Sequence, residues 1–372
     1  MTELVLNATA TTLAAHLSAQ KSAPELVAYL GALTAHHLDA AGLENGAEIG
    51  ALLRGAAVHD LGWLRRIAVR GEDRFRWLSG MVTNAVETLP EDCGEYNLVL
   101  NAQGRIQGDV YVWRSGDSLE VEMTAGQSEA LLAHLDHFII MDDVELVPVT
   151  GQSALGITGT EAERILAALG LPALADALSH THGTASGVPV RLDRGYGTLV
   201  PHYALWVDAG HIPALWQAIL EAGATPVGAA ALETLRIVEG IPAYGIDIQS
   251  RDLAQETSQD RAVSFTKGCY LGQEIVERIR SRGQVHRHLR SVELVPEGVF
   301  EVPSAGMELH TAAGSDKPAG LLSSVAAVQL NGSTRIFGIA MIRAEAEVGN
   351  RPLIYSGGTA QILNAAPKFI AA

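Results

Sequence analysis

Tyr111 to Met123 constrains the fold more than any other stretch of this chain. Tyr111-Val112-Trp113 and Leu119-Glu120-Val121-Glu122-Met123 are rich in strand formers, and the second segment alternates in polarity. Arg114-Ser115-Gly116-Asp117-Ser118 between them supplies turn chemistry, so a hairpin is expected. Its flanks change period. Leu64 to Val69 reads as a strand, and Glu72 to Val82 places Phe75, Leu78 and Met81 at helical spacing. Ser128 to Ile139 is helical through Leu131, Leu132, Leu135 and Phe138, and Val144 to Val147 returns to strand. A second passage follows in similar order: a strand near Ala154, a helix Glu161 to Leu169, a strand Tyr203 to Val207 and a helix Ile212 to Glu221. Strands and helices interleave as in α+β proteins.

A chain of 372 residues exceeds one ordinary core, so two or three domains are expected. Pro24 to Ala40 reads as a helix, because Leu26, Leu30, Leu33 and His37 recur at helical spacing behind a first-turn proline. The polar stretch Ala41 to Glu48 then separates an N-terminal helical extension, residues 1–45, from a main α+β region over 46–285. From about His286, glycines and Pro303 punctuate short apolar runs, which predicts a C-terminal β-barrel over 286–372.

Hydrophobic residues make up 48% and charged residues 18%, which fits a folded chain rather than a disordered one. The formal charge of −16 opposes non-specific attraction to nucleic acid or anionic lipid. No run reaches the roughly 18 apolar residues of a membrane span, and the first thirty residues lack a secretory pattern. Cys93 and Cys269 show no CxxC or His/Cys spacing, so neither a disulfide framework nor a metal site is indicated. A soluble cytoplasmic protein without a membrane partner is the expectation. Neither GxGxxG, GxxxxGK[ST], HExxH nor GxSxG occurs, which removes support from nucleotide-binding, metalloprotease and serine-hydrolase readings.

The segment Lys267-Gly268-Cys269-Tyr270-Leu271-Gly272-Gln273-Glu274 concentrates the chemistry. Gln273 to Arg280 is expected as an amphipathic helix, with Ile275, Val276 and Ile279 apolar and Glu274 paired to Arg278. Cys269 lies just ahead of it with Lys267 two residues away, and both influences favour the reactive thiolate. A cysteine taken at random is more often a small buried hydrophobe; its position here argues for function. The run Arg278, Arg280, Arg282, His286, Arg287, His288 and Arg290 admits an anionic ligand or partner, or a solvated face paired with neighbouring glutamates.

The Lys-Gly-Cys-Tyr-Leu-Gly-Gln-Glu phrase resembles the signature of YgfZ-like, folate-binding proteins, a branch of the glycine-cleavage T-protein (aminomethyltransferase-like) superfamily. Other segments agree in order: Thr83-Asn84, Tyr96, Asn101-Ala102-Gln103-Gly104-Arg105, and Leu235 through Asp247. The resemblance spans about 46–363. It implies α+β domains around a central hole that holds tetrahydrofolate or a one-carbon derivative, closed by the C-terminal barrel. It also implies Cys269 and Lys267 as the working residues, and Thr83, Asn84, Tyr96, Asp109, Arg236 and Glu239 as residues lining or supporting the folate pocket. The function implied is assistance to the assembly or repair of iron–sulfur enzymes, with iron–sulfur client or assembly proteins as partners.

T-proteins carry an Asn-x-x-Gly-Gly-x-x-Asp-Asp stretch, whereas this chain reads Asn101-Ala102-Gln103-Gly104-Arg105-Ile106-Gln107-Gly108-Asp109. One of the paired aspartates is Gly108, which argues against a T-protein-type aminomethyltransferase, the enzymatic alternative. Their Gly-Tyr-Thr-Gly-Glu run is replaced by Gly195-Tyr196-Gly197-Thr198-Leu199. A non-catalytic protein-binding scaffold is the third reading.

Overall fold

The computed structural model describes residues 8–38, 45–298, 300–312, 317–330 and 333–367. The chain divides into two compact units, Met1–Asn97 with Asp109–Leu232, and Leu98–Gly108 with Glu233–Ala372. Residues 233–285 thus group with the C-terminal strands.

Two sheets build the first unit. One runs, edge to edge, His180–Ala185, Val188–Arg194, His202–Asp208, Gln152–Thr158, Ala57–Asp60 and Thr225–Pro226, antiparallel except for the last pair. The other runs Cys93–Leu100, Ile106–Ser115, Ser118–Thr124, Leu64–Arg70 and Glu145–Pro148, of which residues 98–100 and 106–108 are grouped with the second unit. The expected hairpin is its centre, with Ser115 opposite Ser118 across a two-residue turn. Helices Arg74–Met81, Ala125–Asp136, Ala162–Ala168 and Ile212–Glu221 form where apolar spacing predicts them. The core on the six-stranded sheet joins Leu155, Ile157, Leu205 and Val207 to Ile165, Leu215, Trp216 and Ile219. Helix Asn45–Arg54 begins inside the stretch read as a polar linker, whose residues 41–44 lie outside the described ones.

The N-terminal segment corrects the sequence reading. Pro24 to Ala40 is not a helix: Leu26–Tyr29 and Ala32–Ala35 pair as an antiparallel hairpin, and residues 39–40 lie outside the described part. Leu30 and Gly31 turn the chain with φ of 48° and 96°, a left-handed pair that no α-helix contains. Leu26, Leu30 and Leu33 share helical spacing by coincidence with strand alternation. The helix of this region lies earlier, at Thr12–Ser18. The Thr11 hydroxyl caps it by accepting from Ala14 N at 3.0 Å, and Leu13 and Leu17 enter the core of the first unit. Asp60, 5% exposed, accepts from the Thr11 hydroxyl, from Thr34 Oγ1 at 2.7 Å and from Gly62 N at 2.8 Å, fastening helix and hairpin to the sheet. Residues 8–38 are therefore built into the unit rather than appended to it.

The second unit contains a nearly closed six-strand barrel. Its order is Glu308–Leu309, Gly320–Leu330, Ser333–Arg343, Arg287–Pro296, Gly358–Ile362 and Leu353–Tyr355. A bridge between His310 and Ile354, with both backbone hydrogen bonds at 2.8 Å, brings the two edge strands together. Val292, Leu294, Leu322, Ile336, Ile342 and Ile362 fill its core. The expected C-terminal β-barrel is formed by these strands.

Candidate functional site

In the first unit, helix Arg74–Met81 ends at the extended Val82 and delivers Thr83 to a fully buried position. Asn84 follows. Its backbone N donates to Asn97 Oδ1 at 2.7 Å, and its Nδ2 donates to the Tyr96 carbonyl at 3.1 Å. Tyr96, 4% exposed, donates its hydroxyl to Asp109 Oδ2 at 2.8 Å. Gln127 Nε2 donates to the other carboxylate oxygen at 3.0 Å, while Gln127 Oε1 accepts from Asp109 N at 3.1 Å. The fold thus sets Tyr96 and Gln127 on the Asp109 carboxylate, while Asn84 holds the Tyr96 backbone. Gln127, buried at the start of helix Ala125–Asp136, was missed because nothing local marks it out.

Asp109, Tyr111 and Trp113 alternate along Ile106–Ser115 and share one face of the sheet. Tyr96 and Tyr111 rings lie 5.1 Å apart, and Tyr111 stacks on Trp113 at 6.4 Å, making an aromatic face beside the carboxylate.

The same face carries a charged layer that the sequence did not disclose. Arg66, opposite Glu122 in register, is 3% exposed. It donates to Glu122 Oε2 at 2.6 and 2.9 Å, to Glu120 at 3.3 Å and to Asp193 on the other sheet. Arg191 donates to Asp193 at 2.7 Å and to Glu120 at 2.7 Å. The Arg66 guanidinium lies 3.9 Å from the Trp206 ring centre. Burial and the neighbouring Asp193 charge push the Glu122 pKa up, against the pull of Arg66. Burial also opposes the Asp193 charge, but Arg66 and Arg191 overcome it and hold that pKa below the ordinary carboxylate value.

In the second unit, Arg236 lies on helix Ala229–Glu239 with every N–H engaged. Nε donates to Glu233 at 2.6 Å, Nη1 to Asp247 at 2.7 Å and to the Ile241 carbonyl at 3.3 Å, and Nη2 to Glu233 and to Ser324 Oγ at 2.9 Å. Asp247 also accepts from Ala243 N at 3.0 Å, from Ser324 Oγ at 2.7 Å and from Ser323 Oγ. Consecutive strand residues ordinarily face opposite ways. A register shift between Leu322 and Ser324 turns both hydroxyls onto this carboxylate. Arg236 therefore anchors a structural network, and its fork has no donor left for a folate carboxylate. Glu239, one turn on, is 3% exposed.

Cys269 is exposed, in the irregular segment just before the Leu271-Gly272 turn. Gly272 precedes helix Gln273–Arg282 at φ 82°, and a Cβ there would stand 2.7 Å from the Asn101 carbonyl oxygen, so glycine is required. Lys267 Nζ lies 5.1 Å from the Tyr270 ring centre, and burial raises the Tyr270 pKa to about 12. The expected Glu274–Arg278 pair does not form among the described residues; Arg280 pairs instead with Glu277 at 2.8 Å, because three-residue spacing brings those two tips together. Also among the described residues, no three His, Cys, Asp or Glu side chains gather as a metal-holding group. No described helix is long and apolar enough to cross a membrane.

Comparison with known proteins accords with this architecture. The profile of the GCVT N-terminal domain matches residues 40–267. An aminomethyltransferase of Rubrobacter xylanophilus is 30% identical over 312 residues, covering 80% of this chain and 79% of the relative. A chloroplastic protein of Arabidopsis thaliana with a transferase name is 27% identical over 303 residues, 80% of this chain and 67% of the relative. Aminomethyltransferase T of the glycine cleavage system from Bartonella henselae superposes with a TM-score of 0.79 at 18% identity, covering 93% of this chain and 94% of that one. The chain belongs to the GCVT N-terminal domain family and has the aminomethyltransferase fold.

Proposed function

We propose that this protein binds a tetrahydrofolate species and, like the YgfZ-like proteins its cysteine motif resembles, supports the assembly or repair of iron–sulfur enzymes through Cys269. The observation that carries the proposal is the exposed thiol just before the Leu271-Gly272 turn, with Lys267 two residues ahead of the cysteine. Folate supplies a one-carbon carrier when bound. Around Asp109 the partly exposed Tyr111 ring, backed by the buried Tyr96 and Trp113, could stack on a pterin, and a carboxylate accepts from a pterin amino group. Arg236 suits folate less well, since its donors are spent on Glu233, Asp247 and Ser324.

A single thiol supplies one ligand or one mixed disulfide, so Cys269 acts on a partner's centre rather than holding a cluster alone. Cys269→Ala should leave tetrahydrofolate binding by titration calorimetry unchanged and abolish support of a cluster-dependent enzyme in a strain lacking the native gene. Full support by the variant would refute the role of the thiol; absence of heat with wild type would refute folate binding.

Aminomethyl transfer is the second reading, favoured by the family and by relatives named aminomethyltransferases. Against it stand Gly108, where the T-protein pattern has aspartate, and the engagement of Asp109 by Tyr96 and Gln127. Formation of methylenetetrahydrofolate from an aminomethyl-lipoyl carrier would establish it.

A further inference from the structure

The basic run Arg278 to Arg290 splits into two parts with different fates. Arg287 is bound by Asp252 at 2.9 Å and Glu256 at 2.8 Å, and His288 and Arg290 by Glu347 at 2.8 Å. The side chains of Arg287, His288 and Arg290 thus find their partners within the second unit. Arg278 and Arg282 differ: both are exposed, and among the described residues neither forms an ion pair or hydrogen bond. Four residues apart, they lie on one face of helix Gln273–Arg282, which fully buries only Val276.

Nearby in sequence the chain stays open to solvent. Phe265 is 43% exposed and carries the Arg280 guanidinium 4.9 Å from its ring centre. Thr266, Gly268 and Cys269 are exposed, as are Ser281 through Gln284 and His286. Between Phe265 and His286 four basic side chains face two acidic ones, in a chain whose formal charge is −16. The stretch thus combines two exposed guanidiniums, Arg278 and Arg282, with an exposed aromatic ring that carries Arg280, and arginine and aromatic residues are enriched in protein-binding patches.

We propose that the exposed stretch from Phe265 to His286 is a docking surface for a protein with an acidic face, with Arg278 and Arg282 as its electrostatic contacts. Charge complementarity selects the partner: a carboxylate-bearing surface is attracted here and repelled by most of the remaining chain, which fixes where it lands. Nucleic acid fits less well, because two free arginines neutralise few phosphates against the field of the whole molecule. The surface places an incoming partner beside Cys269, but its existence does not depend on folate binding or on thiol chemistry.

The test uses the full-length protein and a fluorescein-labelled peptide of twenty glutamates as a probe of acidic protein surface, followed by anisotropy at low and physiological salt. Wild type should bind, more weakly as salt rises. The doubly reversed variant Arg278→Glu/Arg282→Glu should bind roughly tenfold more weakly, two reversed contacts at the strength of exposed pairs. Arg164→Glu, on an exposed arginine of the first unit, should bind as wild type does. Among the described residues neither substituted arginine forms an ion pair or hydrogen bond, so folding is expected to survive, and circular dichroism checks it. Equal binding by the doubly reversed variant would overturn the proposal. So would tighter binding of an RNA oligomer of equal charge. A third overturning result is that the double reversal weakens only a pteroylpolyglutamate, leaving the peptide unaffected, which would assign the stripe to a folate tail.

Discussion

Replacing Asp193 by asparagine tests whether the charged layer between the two sheets of the first unit is held by a particular carboxylate. Asp193 is 2% exposed and accepts from Arg66, itself 3% exposed, and from Arg191 Nε at 2.7 Å. Asparagine keeps the shape but removes the charge and turns an amide N–H₂ toward guanidinium donors. Removing one partner of a buried ion pair costs about 3–5 kcal/mol. Arg66 keeps Glu122 and Arg191 keeps Glu120, which puts the expected loss near the lower end, about 3 kcal/mol, or roughly a hundredfold in the folding equilibrium.

Glu122→Gln should cost about 1 kcal/mol or less. Burial already disfavours the Glu122 charge, so a neutral isostere removes an expense along with a contact. The pH dependences have opposite sign. The Asp193 pKa is lowered on folding, so its contribution is present above the unfolded value of 3.8 and fades as pH falls through the folded one. The Glu122 pKa is raised, so what its carboxyl contributes is present at low pH and lost as pH rises through the folded value. Urea unfolding followed by tryptophan fluorescence reads this directly, since all five tryptophans lie in the first unit. A loss below about 1 kcal/mol for Asp193→Asn, or an equal loss for Glu122→Gln, would refute the assignment of the layer to Asp193.

His59 is buried, bonded to Thr158 Oγ1 at 3.0 Å, and burial lowers its pKa to about 4. The unfolded chain takes up the proton first, so stability should fall by up to roughly 3 kcal/mol between pH 6.5 and 4, and His59→Gln should flatten that slope in acid-unfolding curves. Gly272→Ala should cost about 1–3 kcal/mol by strain at positive φ and speed amide exchange along Gln273–Arg282; unchanged exchange would show that the turn tolerates a side chain.

Local patterning determined much of this protein. The alternation from Tyr111 to Met123, the apolar spacing of Ile212–Glu221 and the Leu271-Gly272 turn after Cys269 each state their structure within a few residues, because backbone period and turn preference are short-range properties. The same locality misled at Pro24 to Ala40. There the leucine spacing satisfied a helix, while Leu30-Gly31 and the anchoring of Thr34 to Asp60 selected a hairpin. What tertiary structure alone decided is the company each charge keeps. Arg66 meets Asp193 across 127 positions and Arg236 meets Ser324 across 88, pairings that depend on how sheets stack and where a strand bulges. By those pairings Arg236, Arg287 and Arg290 are structural cations, whereas Arg278 and Arg282 stay open to solvent on the helix that follows Cys269.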